Sequence, residues 1–212
     1  MASKQNTVMV CLVRCGETTW AHDGRMAGAA DLPLSTNGRA SVVADIERLA
    51  TCKATTVYHP ADEAAASTAS VFANHLNIKR RAVAELADPD LGMFEGLTES
   101  EVKSRYPRRG KQWREDPLRL NPPEGEPILD ARARLFRSIS RTLRRRRSQE
   151  VAFVLHPLAI GLLQCWMADR PTSELWTTVK KRPRIERYAV AVPLIDELEQ
   201  LSTVASQTVR GP

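Results

Sequence analysis

The chemistry this chain can offer begins where an apolar run stops. Val8, Met9, Val10, Cys11, Leu12 and Val13 lead directly into Arg14, Cys15, Gly16, Glu17 and Thr18. That loop holds a guanidinium suited to an anion, a thiol that becomes a nucleophile once deprotonated, and a glycine that lets the chain turn sharply. Two further apolar runs end in the same manner, Thr55 to Tyr58 at His59 and Val151 to Leu155 at His156. Imidazoles at such exits are candidate acid–base groups or ligands.

The elements that must position these residues follow from periodicity. An unbroken apolar run suits a strand covered on both faces, and open α/β sheets place their ligand sites outside the carboxyl ends of such strands. Ser35 or Thr36 is a fair N-cap for a helix to about Leu49, with Val42, Val43, Ile46 and Leu49 inward. Thr55 to Tyr58 reads as a second strand, Ala61 to Leu76 as an Ala-rich helix and Lys79 to Leu86 as a third strand. Short helices are expected at Glu99 to Tyr106 and Lys111 to Glu115, then a long one from about Leu129 to Arg147. Val151 to Leu155 is a buried strand, Leu158 to Met167 the helix behind it, and the alternation Tyr188, Val190, Val192 a last strand. The alternation of strands and helices predicts an α/β fold, a three-layer α/β/α sandwich on a mostly parallel sheet, with a small insertion over its carboxyl edge. With 212 residues, 42% of them hydrophobic, one domain is expected, its core at about residues 8–192. Residues 196–212 lack core signals and read as a tail, its end disordered.

Four blocks carry a resemblance to a known family. Arg14-Cys15-Gly16-Glu17-Thr18-Thr19-Trp20 resembles the R-H-G-E-T-x-W signature of the histidine phosphatase superfamily, the phosphoglycerate-mutase-like proteins. Asp31-Leu32-Pro33-Leu34-Ser35 resembles its D-x-P-L-S approach to a helix, and Pro122 to Glu126 its P-P-G-G-E turn. Gly92, Glu95, Gly96, Leu97 and Thr98 fall in register with its E-x-x-x-G-x-W-E-G-L-T block. The resemblance implies the fold already read from periodicity, and a pocket of cationic groups and donors around a phosphoryl-accepting histidine.

At the implied pocket the chain departs from the pattern. Cys15 stands where the nucleophilic His is expected, Arg14 is kept for phosphate, and Ala21 and Ala27 replace an Asn and a Gln. By its spacing from Pro60, Glu63 takes the position of the family's second Arg, a charge reversal expected to pair with Arg14 and fill the phosphate hole. Asp88 replaces the general-acid Glu with a shorter carboxylic acid. His156 matches the second family His, but Pro157 after it removes a backbone donor. Each retained residue also has a plainer account: a strand-end Arg in an ion pair, a hydrogen-bonded His, an Asx turn before Pro89.

The expected function is therefore a histidine-phosphatase-like protein that is inactive or strongly impaired, with a binding or regulatory role and a protein partner or a weakly held anionic ligand. One alternative is a phosphomonoester hydrolase using His156 and Asp88 with Cys15 in the nucleophile position. Another is a Cys/His metal site, since Cys15, His59 and His156 leave strand ends near Asp88 and Glu63, although no short ligand spacing supports it. A cysteine phosphatase would need an Arg six residues after its thiol, where this chain has Ala21. No cofactor is implied. The cysteines at 11, 15, 52 and 165 show neither metal nor disulfide spacing, and no run reaches transmembrane length, so reduced thiols, no membrane and a cytoplasmic location are expected. Net charge is +6, concentrated in stretches such as Arg141 to Arg147. Leu135, Phe136, Ile139 and Leu143 share the opposite helical face, so that cluster reads as a solvated side, and a nucleic-acid partner is disfavoured.

Overall fold

The structure is a computed structural model that describes residues 7–49, 52–146, 149–181 and 184–208. Residues 1–6, Arg147 and the last four residues of the expected tail lie outside them. The sheet has five strands, β1 (Thr7–Arg14), β2 (Thr56–His59), β3 (Lys79–Ala82), β4 (Val151–Leu155) and β5 (Ile185–Ala191), in the order β3-β2-β4-β1-β5. All neighbours are parallel except β5, which runs antiparallel to β1.

β1 lies between β4 and β5, and its side chains alternate between two separate cores. Cys11 and Val13 face one core with α2 (Thr36–Glu47) and α3 (Glu63–Leu76). Val8, Val10 and Leu12 face the other, with α6 (Ile128–Arg145) and α7 (Pro157–Met167). A run that is apolar at every position is what such a strand requires, and this gives the three layers expected. Before α2 comes a one-turn helix, α1 (Thr19–His22); α4 (Glu99–Arg105) and α5 (Pro107–Glu115) form the insertion, and α8 (Leu175–Lys181) precedes β5. α4 begins with a full capping box, the Thr98 side chain accepting from the Glu101 N–H while the Glu101 carboxylate accepts from the Thr98 N–H.

Two expectations are corrected. Residues 196–208 are not a structureless tail: α9 (Val192–Thr208) packs along α6, with Ile195 and Leu198 fully buried. Its apolar residues are spaced for a helix; what single-sequence reading missed is that its partner face lies on α6, some sixty residues earlier. β3 stops at Ala82 rather than reaching Leu86, because after Val83 donates to the His59 carbonyl the chain turns into a 3₁₀ segment, Ala84–Leu86. All four residues of β3, Lys79, Arg80, Arg81 and Ala82, are exposed, as suits a charged edge strand. Among the described residues no helix is long and apolar enough to cross a membrane.

Candidate functional site at the carboxyl edge

The exit of β1 is held by backbone and by one threonine. The Cys15 N–H donates to the Leu155 carbonyl at 2.8 Å, and the Gly16 N–H donates to Thr68 Oγ1 at 3.1 Å. Thr68 is fully buried on α3, passes its own proton to the Ala64 carbonyl, and stands 3.6 Å from Cys15 Sγ. Gly38 in α2 lets the helix approach this loop, since a Cβ there would lie 2.1 Å from the Glu17 carbonyl oxygen. Cys15 is thus 4% exposed, inside the fold rather than at an open mouth.

His156 ends β4 and is the N-cap residue of α7, but its side chain does not cap that helix. Its Nε2 lies 2.9 Å from Asp62 Oδ1, and Cys15 is a further electrostatic neighbour of the ring. Asp62 is itself the N-cap of α3, its Oδ1 accepting from the Ala65 N–H at 2.9 Å. Asp88 is buried at the start of α7: its Oδ1 accepts from the Ala159 N–H at 2.7 Å, and the Leu158 N–H also points at its carboxylate. Pro157 has no N–H, so Asp88 takes the free donors that remain in the first turn of α7. The two helix N-termini that meet at His156 are therefore each filled by an aspartate of the chain itself, in the place such termini offer to anions.

The electrostatics follow. Burial opposes charge on the His156 ring, but Cys15, Asp62 and Asp88 around it raise its pKa well above the imidazole range. Burial likewise opposes charge on Asp62, yet the hydrogen bond and charge of His156 and the Ala65 N–H hold its pKa below the usual carboxylate value. For Asp88 burial wins, and its pKa rises to about 6 despite His156 and the two backbone donors. An imidazolium paired to one carboxylate, with a second carboxyl group titrating near neutrality beside it, can move a proton or hold a cationic or neutral ligand. It offers little to a phosphate dianion.

Two expected members lie elsewhere. Glu63 is an exposed first residue of α3, and the described interaction it makes is through its backbone, the N–H donating to Asp31 Oδ1 at 2.7 Å. The half-buried anion of that turn is its neighbour Asp62, because the N-cap side chain folds back over the helix end while the next residue points outward. Arg14 does not pair with Glu63; its Nη1 donates to the Val179 carbonyl of α8 at 2.6 Å, and burial and the nearby Arg184 lower its pKa. His59 keeps to itself, with Nδ1 2.6 Å from the Pro60 carbonyl and its pKa lowered by burial. Among the described residues no group of three or more His, Cys, Asp or Glu side chains converges as a metal ion would need. Sequence reading missed Asp62, Thr68 and Arg184. Asp62 had a legible signal, an Asp immediately before an Ala-rich helix; Arg184, whose Nη1 donates to the Cys15 carbonyl at 3.1 Å and whose Nε reaches Asp45 at 2.6 Å, had none.

The matched block around Gly92 forms a clasp on the segment between α1 and α2. Glu95 Oε1 accepts from the Ala29 N–H at 2.8 Å and the Leu91 N–H at 3.2 Å, while Met26 and residues 96 and 97 exchange two backbone hydrogen bonds. Gly28, at φ +56, leaves the carboxylate its room, since a Cβ there would sit 2.3 Å from Glu95 Oε1.

Comparison with known proteins agrees with this architecture. The model of the histidine phosphatase superfamily (branch 1) matches residues 10–183. Phosphoserine phosphatase 1 of Hydrogenobacter thermophilus is 24% identical over 170 residues, covering 80% of this chain and 81% of that protein. A 6-phosphofructo-2-kinase/fructose-2,6-bisphosphatase of Arabidopsis thaliana is 29% identical over 170 residues, which span 78% of this chain but 22% of the larger protein. Among solved structures, YhfR of Bacillus stearothermophilus superposes with a TM-score of 0.75 at 24% identity, over 85% of this chain and 90% of its own. A mycobacterial glucosyl-3-phosphoglycerate phosphatase superposes at 0.70 and 24%, over 80% and 83%.

Proposed function

Because the chain belongs to the histidine phosphatase superfamily, the question is what its pocket can still do, and we propose that it keeps the fold without the phosphohistidine reaction and acts as a binding or regulatory protein. The observation that carries this reading is the pair of aspartates at the helix ends, Asp62 on His156 at 2.9 Å and Asp88 on the Ala159 N–H at 2.7 Å. At neutral pH both are largely ionised against a single imidazolium, and Arg14 is engaged with the Val179 carbonyl. A phosphate dianion would meet two carboxylates beside the one imidazolium, at helix ends whose donors are taken. With Cys15 in place of the imidazole nucleophile, the first covalent step of the family's route has no acceptor of the usual kind.

A second reading has one observation in its favour. A buried carboxyl group with a pKa of about 6 is poised as a general acid, so Asp88 with His156 could serve a slow phosphomonoester hydrolysis with Cys15 as nucleophile. Steady-state assays separate the two. Phosphoserine, glucosyl-3-phosphoglycerate and a generic aryl phosphate, the first two taken from what the relatives are named for, should be turned over no faster than by Cys15→Ala. Acid-quench trapping should find no phosphoryl-enzyme. A bell-shaped rate profile with a limb near pH 6, abolished by Asp88→Asn and by Cys15→Ala, would establish the hydrolase instead.

A further inference from the structure

On the α6 face of the sheet, away from His156, a groove of about 470 Å³ lies between α6 and the edge strand β3. Six arginines line it, against one carboxylate, that of Glu85. Arg134 is already neutralised, its Nε and Nη2 on the Glu126 carboxylate at 2.9 and 2.6 Å. Arg137 spends one nitrogen on a neutral carbonyl, that of Ser202. Arg81, Arg141 and Arg145 have no carboxylate within ion-pair reach among the described residues. Arg137, Arg141 and Arg145 follow at four-residue steps, so they stack along one side of the helix with a rise of about 6 Å from each to the next. The wall opposite is Tyr58 and Arg81, direct partners in the β2–β3 ladder, whose side chains therefore share a face. Tyr58 is 6% exposed, lines the groove, and its hydroxyl has no hydrogen-bond partner among the described residues. The Tyr58 hydroxyl, open to the groove and held by no partner among the described residues, and the row of unneutralised cations above it together describe half of a binding site.

We propose that this groove binds a small molecule carrying two or three linked phosphates, held by Arg81, Arg137, Arg141 and Arg145 above the Tyr58 hydroxyl. One orthophosphate can engage two of these guanidiniums at most; a di- or triphosphate brings the three or four negative charges that the row leaves uncompensated. The volume suits a bounded ligand, within the range of about 300–1,000 Å³ usual for small-molecule sites. A nucleic acid would need a longer track with exposed aromatic rings for its bases, and the aromatic ring here is buried in the floor. None of the residues named belongs to the His156 cluster, so the groove stands or falls separately from the reading of that site.

Calorimetric titration of the full chain in about 100 mM salt tests it, with inorganic tripolyphosphate, ATP, orthophosphate and a single-stranded oligonucleotide of about 20 residues as probes. Tripolyphosphate should bind at least about tenfold more tightly than orthophosphate; equal affinity for ATP assigns the site to the phosphates alone, and tighter ATP adds the nucleoside. The double variant Arg141→Glu, Arg145→Glu changes two exposed side chains and should weaken tripolyphosphate by about 30-fold or more, and Tyr58→Phe by about threefold. Tripolyphosphate binding no better than orthophosphate, or unmoved by the double charge reversal, would overturn the proposal. Tight oligonucleotide binding without tripolyphosphate binding would overturn it too, and assign the face to nucleic acid.

Discussion

Two regions built on matching sequence blocks have had different fates in this molecule. Around Glu95 the matched residues still answer one another: the Glu95 carboxylate finds the Ala29 and Leu91 N–H groups, and Gly28 and Gly92 keep the left-handed backbone that lets the segments meet. Around His156 the helix ends are occupied by Asp62 and Asp88, and Arg14 turns to α8. The difference lies in what each set of residues binds. The clasp binds its own backbone, so its residues contribute to the stability of the fold whatever the pocket binds. A pocket is built for something outside the chain, and on the proposed reading its donors are satisfied internally in place of that ligand.

The largest expected effect therefore lies in the clasp, far from any chemistry. Gly92 has φ +49, and a Cβ there would fall 2.2 Å from the Pro123 carbonyl oxygen, on backbone that cannot rotate away. Gly92→Ala should cost about 3 kcal/mol or more, the sum of a left-handed penalty and a backbone shift, and Glu95→Ala about 2 kcal/mol through two orphaned N–H groups. Denaturant midpoints at constant m measure both. A Gly92→Ala protein as stable as the parent would mean that the clasp contributes little to the stability of the fold.

The next effect has the opposite sign and belongs to the pocket. A carboxyl group with a folded pKa of about 6 against an unfolded value near 3.8 binds its proton more tightly in the native state. Stability from that group is full below about pH 4 and is lost as pH rises through 6. Asp88→Asn keeps an oxygen for the Ala159 N–H and removes the buried charge. It should stabilise the protein by on the order of 2 kcal/mol at pH 8 and change nothing at pH 4, a difference that vanishes if the carboxyl is not buried. The raised pKa of His156 acts in the same direction at higher pH: its contribution is complete below about 6.5 and is lost as the pH passes through the folded value. Unfolding curves from pH 4 to pH 9 should thus show falling stability, and Asp88→Asn should flatten the acid half of that fall.

How much of this was legible in the sequence divides along the same line. The continuous apolar run at β1, the alternation of elements and the Gly92 to Thr98 block were legible because local propensity, period and backbone chemistry all point one way there. α9 was not, because an amphipathic segment at the end of a chain declares itself only against its partner, and α6 is distant in sequence. The pocket was half legible. Cys15, Asp88 and His156 do come together, while the expected Arg14–Glu63 pair is absent, since a one-residue step at the start of α3 decides which carboxylate faces inward. Motif spacing counted from Pro60 gives Glu63; the capping rule applied to an Asp before Ala-rich sequence gives Asp62, and the side-chain geometry of the N-cap is the stronger physical constraint.

That one-residue step supplies the smallest and sharpest test. Asn is as good an N-cap as Asp, so Asp62→Asn should leave α3 intact while removing one negative charge 2.9 Å from the His156 ring. Phosphate arriving at the imidazole could then take the role the carboxylate held, keeping the ring protonated by its own charge. Affinity for orthophosphate or vanadate should rise by about tenfold, the effect of one charge removed at short range in a partly screened site. Glu63→Gln removes the same charge from the adjacent residue, but from an exposed side chain that the described structure leaves outside the cluster, and should change affinity by less than about twofold. The two variants differ by one position and not at all in net charge, so long-range attraction cancels between them. A larger gain from Glu63→Gln than from Asp62→Asn would place the wrong carboxylate in the pocket. Equal gains would mean that the anions meet the general field of the protein rather than His156.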